Sequence, residues 1–144
     1  MNDFNLNKTL EELEGEIWSK PPFPSHLVKT CYALRKKPLR DFTVEDLRIK
    51  IGQNDSLPYL IPLAIKALSE NPFAGGAYYD GDLLSSVLSV EKKFWQENTH
   101  FYKLVEEILQ KAESVETEEA KEILTILLPQ EIYDFRKNKP QDNE

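Results

Sequence analysis

The chain has 144 residues, of which 40% are hydrophobic and 30% are charged, and this balance predicts one folded domain over residues 1–144 with frayed ends at about 1–6 and 138–144. Its formal net charge of -7 disfavours binding to nucleic acid or to an anionic membrane and favours a basic protein partner. The single cysteine, Cys31, excludes an intramolecular disulfide, and no segment resembles a secretory signal or a bilayer span, so we expect a cytoplasmic protein.

Two helices are predicted before residue 38. The first begins at Thr9, which precedes Glu12 by the spacing of a capping box, and it stops at Gly15. The second begins at the N-cap Ser25 and runs to about Lys37. Its predicted apolar stripe consists of Leu27, Val28, Cys31 and Leu34. The connector between the two helices is kept extended by Pro21, Pro22 and Pro24.

Two more helices are predicted before the middle of the chain. One begins at Thr43 and stops at Gly52. Its apolar face consists of Val44, Leu47 and Ile51. Residues 59–68 are apolar nearly all round, which predicts a buried central helix that ends before Pro72.

A glycine-rich loop, residues 73–81, opens the second half, and either Asp80 or Asp82 can cap the helix that follows it. A short helix is expected around Phe94, and further helices are expected to begin at Thr117 and Pro129. The apolar faces of the later helices consist of Phe101, Leu104, Val105, Ile108 and Leu109, then Ala120, Ile123, Leu124 and Leu127, then Ile132 and Phe135. The sequence therefore predicts an all-α fold, a single compact bundle of about seven to nine short helices.

No pattern in the chain predicts catalysis, a metal site or a cofactor. His26 and Cys31 lie five residues apart on one predicted helix, about 140° apart around its axis, so they cannot form a nucleophile and base pair. Cys31 belongs to an apolar stripe and is expected to be a buried structural thiol. His100 could approach it only through the tertiary fold. Zinc-ligand spacings and phosphate-binding glycine motifs do not occur.

The glycine-rich loop is the best candidate for a protein-binding site. Tyr78 and Tyr79 offer large contact area with a hydroxyl group, and the neighbouring Asp80 and Asp82 favour a basic partner. The alternative is an ordinary turn, in which the tyrosines pack on the bundle and the aspartates act as caps. One feature favours an acidic partner instead, since residues 35–50 hold six bases against three acids.

The chain also resembles the immunity proteins of bacterial contact-dependent growth inhibition (CDI) systems, over roughly residues 7–109. The resemblance lies in the order and spacing of residues 7–14 (NKTLEELE), 25–31 (SHLVKTC), 42–48 (FTVEDLR), 51–53 (IGQ), 59–64 (YLIPLA) and 79–84 (YDGDLL).

This resemblance implies an antitoxin that binds the carboxy-terminal toxin domain of its cognate effector and neutralises it without catalysing a reaction. The implied toxin is a nuclease with a basic active site, and Tyr78, Tyr79, Asp80 and Asp82 are the expected contacts. Two other functions stay open, a helical adaptor or chaperone-like module that holds a peptide in a groove, and a small hydrolase that uses Cys31, His26 or His100.

Overall fold

The structure, a computed structural model, describes residues 4–22 and 25–141. Pro24 of the predicted connector and the outermost residues of both predicted frayed ends lie outside this part. The described residues form nine α-helices with the bounds α1 Leu10–Glu14, α2 His26–Leu34, α3 Val44–Gly52, α4 Leu57–Glu70, α5 Asp82–Leu88, α6 Lys92–Glu97, α7 Thr99–Glu113, α8 Glu118–Glu122 and α9 Pro129–Lys137. A 3-10 turn, Leu39–Asp41, precedes α3, and a π-helical segment, Ile123–Leu127, follows α8. No β-strand occurs among these residues, so the predicted all-α fold is confirmed.

Four helices begin where the sequence predicts them, because a hydroxyl side chain caps each one. Thr9, Ser25, Thr43 and Thr117 each accept a hydrogen bond from the backbone N–H three residues later. Thr9 and Thr43 form complete capping boxes with acidic residues at the third helical position. Gly15 ends α1 in the left-handed conformation, with φ of 68°, as its position predicts.

The predicted central helix, α4, forms the middle of the core. It packs against α3, α5 and α7, and Leu60, Ile61, Ala64 and Leu68 are fully buried. Beside it, α6, α7 and α9 enclose an aromatic cluster in which Trp95 packs edge-on against Tyr102 and Phe135. None of the helices in the described ranges is both long and apolar enough to cross a lipid bilayer.

The second predicted helix ends earlier than its sequence suggests. We predicted an end near Lys37, but α2 stops at Leu34 and Arg35 is buried. The guanidinium of Arg35 forms an ion pair with Glu14, donates to the backbone carbonyl of Glu16 at 2.7 Å and lies over the ring of Trp18. These contacts draw Arg35 inward, so it does not serve the solvent-exposed end of a helix.

The predicted face of the helix after Thr117 is partly wrong. Regular α-helical spacing placed Leu127 inside, yet Leu127 is 45% exposed and Leu128 is fully buried. The cause is the π-helical segment, in which the N–H of Leu128 donates to the carbonyl of Ile123 at 2.9 Å, five residues back. This wider turn adds one residue to the helical repeat and moves the inward position from Leu127 to Leu128.

Candidate functional site

The candidate site is the loop between α4 and α5, residues 73–81, which we call the tyrosine loop. An isolated antiparallel bridge between Gly75 and Asp80 brings its two arms together. Three of the four predicted contact residues lie in this loop, and the fourth, Asp82, is the first residue of α5. The structure gives these four neighbouring residues quite different environments.

Asp82 holds the tyrosine loop in place. Its side chain is 3% exposed, and Oδ1 accepts a hydrogen bond from the backbone N–H of Gly76 at 2.6 Å. Oδ2 accepts from the backbone N–H groups of Tyr78 and Tyr79 at 3.0 and 3.4 Å. The N-cap of α5 is Gly81, and no side chain caps this helix. The prediction that an aspartate caps α5 is therefore wrong, because the Asp82 carboxylate accepts hydrogen bonds from backbone N–H groups of the loop and none from the helix.

Two side chains of α3 hold the loop from the other side. Glu45 Oε1 accepts a hydrogen bond from the backbone N–H of Ala77 at 2.9 Å, and both Glu45 oxygens accept from Arg48 at 2.6 Å. The hydrogen bond with Arg48 lowers the pKa of Glu45, and the same bond raises the pKa of Arg48, so both groups stay charged. The approach is close, since a Cβ on Gly76 would lie only 3.2 Å from the Glu45 Cα.

Tyr78 is the exposed aromatic residue of the site. Its side chain is 75% exposed, and the Arg48 guanidinium lies over the ring with its Cζ 4.3 Å from the ring centroid. This cation–π contact supports one face of the ring. Asp80 is also exposed, whereas Tyr79 is half-buried against the hydrophobic core. The ordinary-turn alternative thus describes Tyr79, which packs on the bundle, but not the exposed Tyr78, and neither aspartate caps α5.

A groove of about 460 Å³ lies beside Tyr78, between the tyrosine loop and helices α2 and α3. Its apolar lining includes Leu27, Ile49 and Tyr78, and its polar lining includes His26, Thr30 and Gln53. Leu27 was predicted to face inward but is 43% exposed here. Of the residues that line the groove, only Tyr78 was among the predicted contacts. The one local signal for the others was the three-residue spacing of Glu45 and Arg48, which suits a helix ion pair.

The basic residues of positions 35–50 do not form an uncompensated positive surface. Two of them, Arg35 and Lys50, are buried. Each of the six has an acidic partner, in the pairs Arg35–Glu14, Lys36–Glu11, Lys37–Asp46, Arg40–Asp41, Arg48–Glu45 and Lys50–Asp55. The positive charges of positions 35–50, which favoured an acidic partner, are therefore neutralised by acidic side chains of the same chain.

Cys31 is buried in the structure, as its apolar stripe predicts. Burial raises the pKa of its thiol, which keeps the sulfur protonated and weakly nucleophilic near neutral pH. His26 lies at the exposed start of α2, where its Nε2 is 3.5 Å from the Thr30 hydroxyl. Within residues 4–22 and 25–141, no group of three His, Cys, Asp or Glu side chains is placed to hold a metal ion.

Comparison with known protein families identifies the family of the chain. A family model described as CDI immunity proteins matches residues 12–105, which is more than half of the chain and includes α2 to α6, the tyrosine loop and the Glu45–Arg48 pair. No curated protein matches the chain.

Proposed function

Because this chain belongs to the family of CDI immunity proteins, we propose that it binds the carboxy-terminal toxin domain of its cognate effector in the cytoplasm and neutralises it by stoichiometric occlusion. In this mechanism the folded surface blocks the toxin through contact alone. The chain makes and breaks no covalent bond.

The observation that carries the proposed contact site is the support given to Tyr78. An exposed tyrosine held between a fixed backbone and the Arg48 guanidinium loses little conformational freedom on binding, which favours affinity. The backbone is fixed by Asp82 on one side and by Glu45 on the other. Tyr78 and Asp80 therefore act as the contacts, while Asp82 positions them, and Tyr79 supplies the part of its ring that stays exposed.

Charge supports a basic toxin and, more specifically, a nuclease. A net charge of -7 attracts a positively charged domain over distance and raises the rate of encounter. A nuclease presents a basic active site that binds phosphates, and exposed carboxylates such as Asp80 match that chemistry. The rate of association should accordingly fall as the salt concentration rises.

The test uses the purified toxin domain of the cognate effector. Isothermal titration should give one-to-one binding, and coexpression should restore growth. Tyr78→Ala should weaken binding about tenfold or more, which corresponds to about 1.4 kcal/mol or more for a central aromatic contact. Asp80→Asn should slow association. Glu97→Gln, which removes an exposed carboxylate from α6, is the matched control for charge and should bind as the unaltered chain does.

Three results would contradict the proposal at different points. Unchanged affinity in a folded Tyr78→Ala variant would remove the tyrosine loop from the interface. Growth rescue that persists after association has been abolished would exclude occlusion. Strong binding to several unrelated helical peptides would favour the adaptor function instead.

A further inference from the structure

A second apolar surface lies at the C-terminal end of the described chain. We call it the C-terminal face, and it consists of those apolar side chains of residues 115–133 that are exposed or half-buried. Ile126 and Tyr133 are 70% and 62% exposed. The same segment lines a groove of about 600 Å³, whose apolar lining comes from Val115, Leu124, Pro129 and Ile132. Of the six large hydrophobic residues that the structure describes as exposed, three belong to this face: Ile126, Leu127 and Tyr133.

The π-helical segment creates this surface. Regular α-helical spacing would turn Leu127 toward the core, but the hydrogen bond from Leu128 to Ile123 places Leu128 there instead. Leu127 is left 45% exposed as a consequence, and the preceding residue, Ile126, is 70% exposed. Three exposed large apolar side chains within one short segment that also lines an apolar groove make this segment a candidate contact surface.

The charged side chains around the C-terminal face indicate that its partner is basic. Glu116, Glu118, Glu119 and Glu122 are all exposed, and Lys121 is the single basic residue among positions 115–133. An apolar surface with an acidic border fits a partner segment that presents an apolar side chain between lysines or arginines.

The C-terminal face is also connected to the tyrosine loop. Gly81, the last residue of that loop, packs against the π-helical segment so closely that a Cβ on it would lie 2.9 Å from the Ile123 Cγ2. Helix α9 packs against α5, and the hydroxyl of Ser85 donates to Glu131 at 3.2 Å. These contacts join the segments that carry the two surfaces through the interior of the fold.

We propose that the C-terminal face is a second contact surface for the same basic toxin domain and that it selects the cognate toxin. The inference rests on the proposed function. It is supported by the position of this face outside residues 12–105, the part matched by the family model. A surface outside that part can change from one immunity protein to another without altering the matched fold, which is what discrimination between toxins needs.

The test compares two isoleucines of equal exposure in titrations with the purified toxin domain of the cognate effector. Ile126→Ala should raise the Kd tenfold or more. Ile17→Ala, at an isoleucine that is 73% exposed before α2, should leave the Kd within twofold. The double variant Glu119→Gln and Glu122→Gln should slow association and reduce its dependence on salt. The same titrations are repeated with a related toxin domain from another effector. The ratio of the non-cognate Kd to the cognate Kd should be smaller for Ile126→Ala than for the unaltered chain.

The outcomes separate this inference from the proposed function. If the unaltered chain binds the toxin domain and Ile126→Ala binds equally well, the C-terminal face is not a contact and only this inference fails. If the unaltered chain does not bind, both fail together. A second copy of the chain is the competing occupant, and sedimentation that shows a dimer lost in Ile126→Ala, with toxin affinity unchanged, would overturn the inference in its favour.

Discussion

Asp80 and Asp82 provide the sharpest test of how the tyrosine loop is held. They are the same residue type, two positions apart, yet Asp80 is exposed and Asp82 is 3% exposed. We therefore expect Asp82→Ala to destabilise the protein strongly and Asp80→Ala to leave it almost unchanged. Sequence alone gives no reason for this difference.

The magnitude follows from the hydrogen bonds that the Asp82 carboxylate accepts. Two of them are short, from the N–H groups of Gly76 at 2.6 Å and Tyr78 at 3.0 Å, and the third, from Tyr79, is long at 3.4 Å. A hydrogen bond to a charged group contributes roughly 1.5–3 kcal/mol. Because the freed amides in a surface loop can partly rebind water, we expect a loss of about 3 kcal/mol for Asp82→Ala. Asp82→Asn keeps one accepting oxygen and should lose about 2 kcal/mol.

Urea unfolding, followed by far-ultraviolet circular dichroism, measures these differences as changes in the free energy of unfolding at constant slope. Asp80→Ala is the matched control and should stay within about 0.5 kcal/mol of the unaltered chain. Equal effects of the two alanine variants, or a loss below about 1 kcal/mol for Asp82→Ala, would refute the assignment of Asp82 as the residue that organises the loop.

Three further predictions concern ionisable groups. The pKa of Glu45 is lowered in the folded chain, so its ionised form stabilises the fold above the ordinary pKa of 4.5. This stabilisation disappears as the pH falls through the lowered pKa. The free energy of unfolding of Glu45→Gln should therefore equal that of the unaltered chain only in acid. Burial raises the pKa of Tyr102 from 10.0 to about 12, so stability should fall as the pH rises through that interval, and Tyr102→Phe should lack this loss in alkaline unfolding. Arg136 donates to Glu106 and Glu113, and Arg136→Gln should cost about 1 kcal/mol in urea unfolding because the pairs are partly exposed and screened by solvent.

Most of the fold was predictable because its signals are local. The caps at Thr9, Ser25, Thr43 and Thr117 need only a hydroxyl side chain and a backbone N–H three residues away, and both are fixed by the sequence. The central position of α4 follows from an apolar pattern without a polar face. Such features depend on neighbouring residues and hardly on the rest of the chain.

The errors lie where a distant residue decides a local conformation. Arg35 lies beyond the last residue of α2 and is buried, because it contacts Glu14 and Trp18 from another part of the chain. The π turn at Ile123 is likewise decided by packing, since Gly81 contacts the Ile123 side chain from the tyrosine loop. The helical spacing of apolar residues along the sequence gives no information about either of these long-range contacts.

The candidate site shows why residue type alone identifies a surface but not the roles within it. The sequence brought Tyr78, Tyr79, Asp80 and Asp82 together as one set, and chain connectivity guaranteed that they would be neighbours. The backbone at Gly81, the residue before α5, determines which of the two carboxylates faces solvent. Its φ is 101°. That turn sends the Asp82 side chain toward the loop amides, leaving Asp80 outside. A partner that recognises charge at this surface therefore meets Asp80, and exchanging the two roles would require a different loop rather than a different composition.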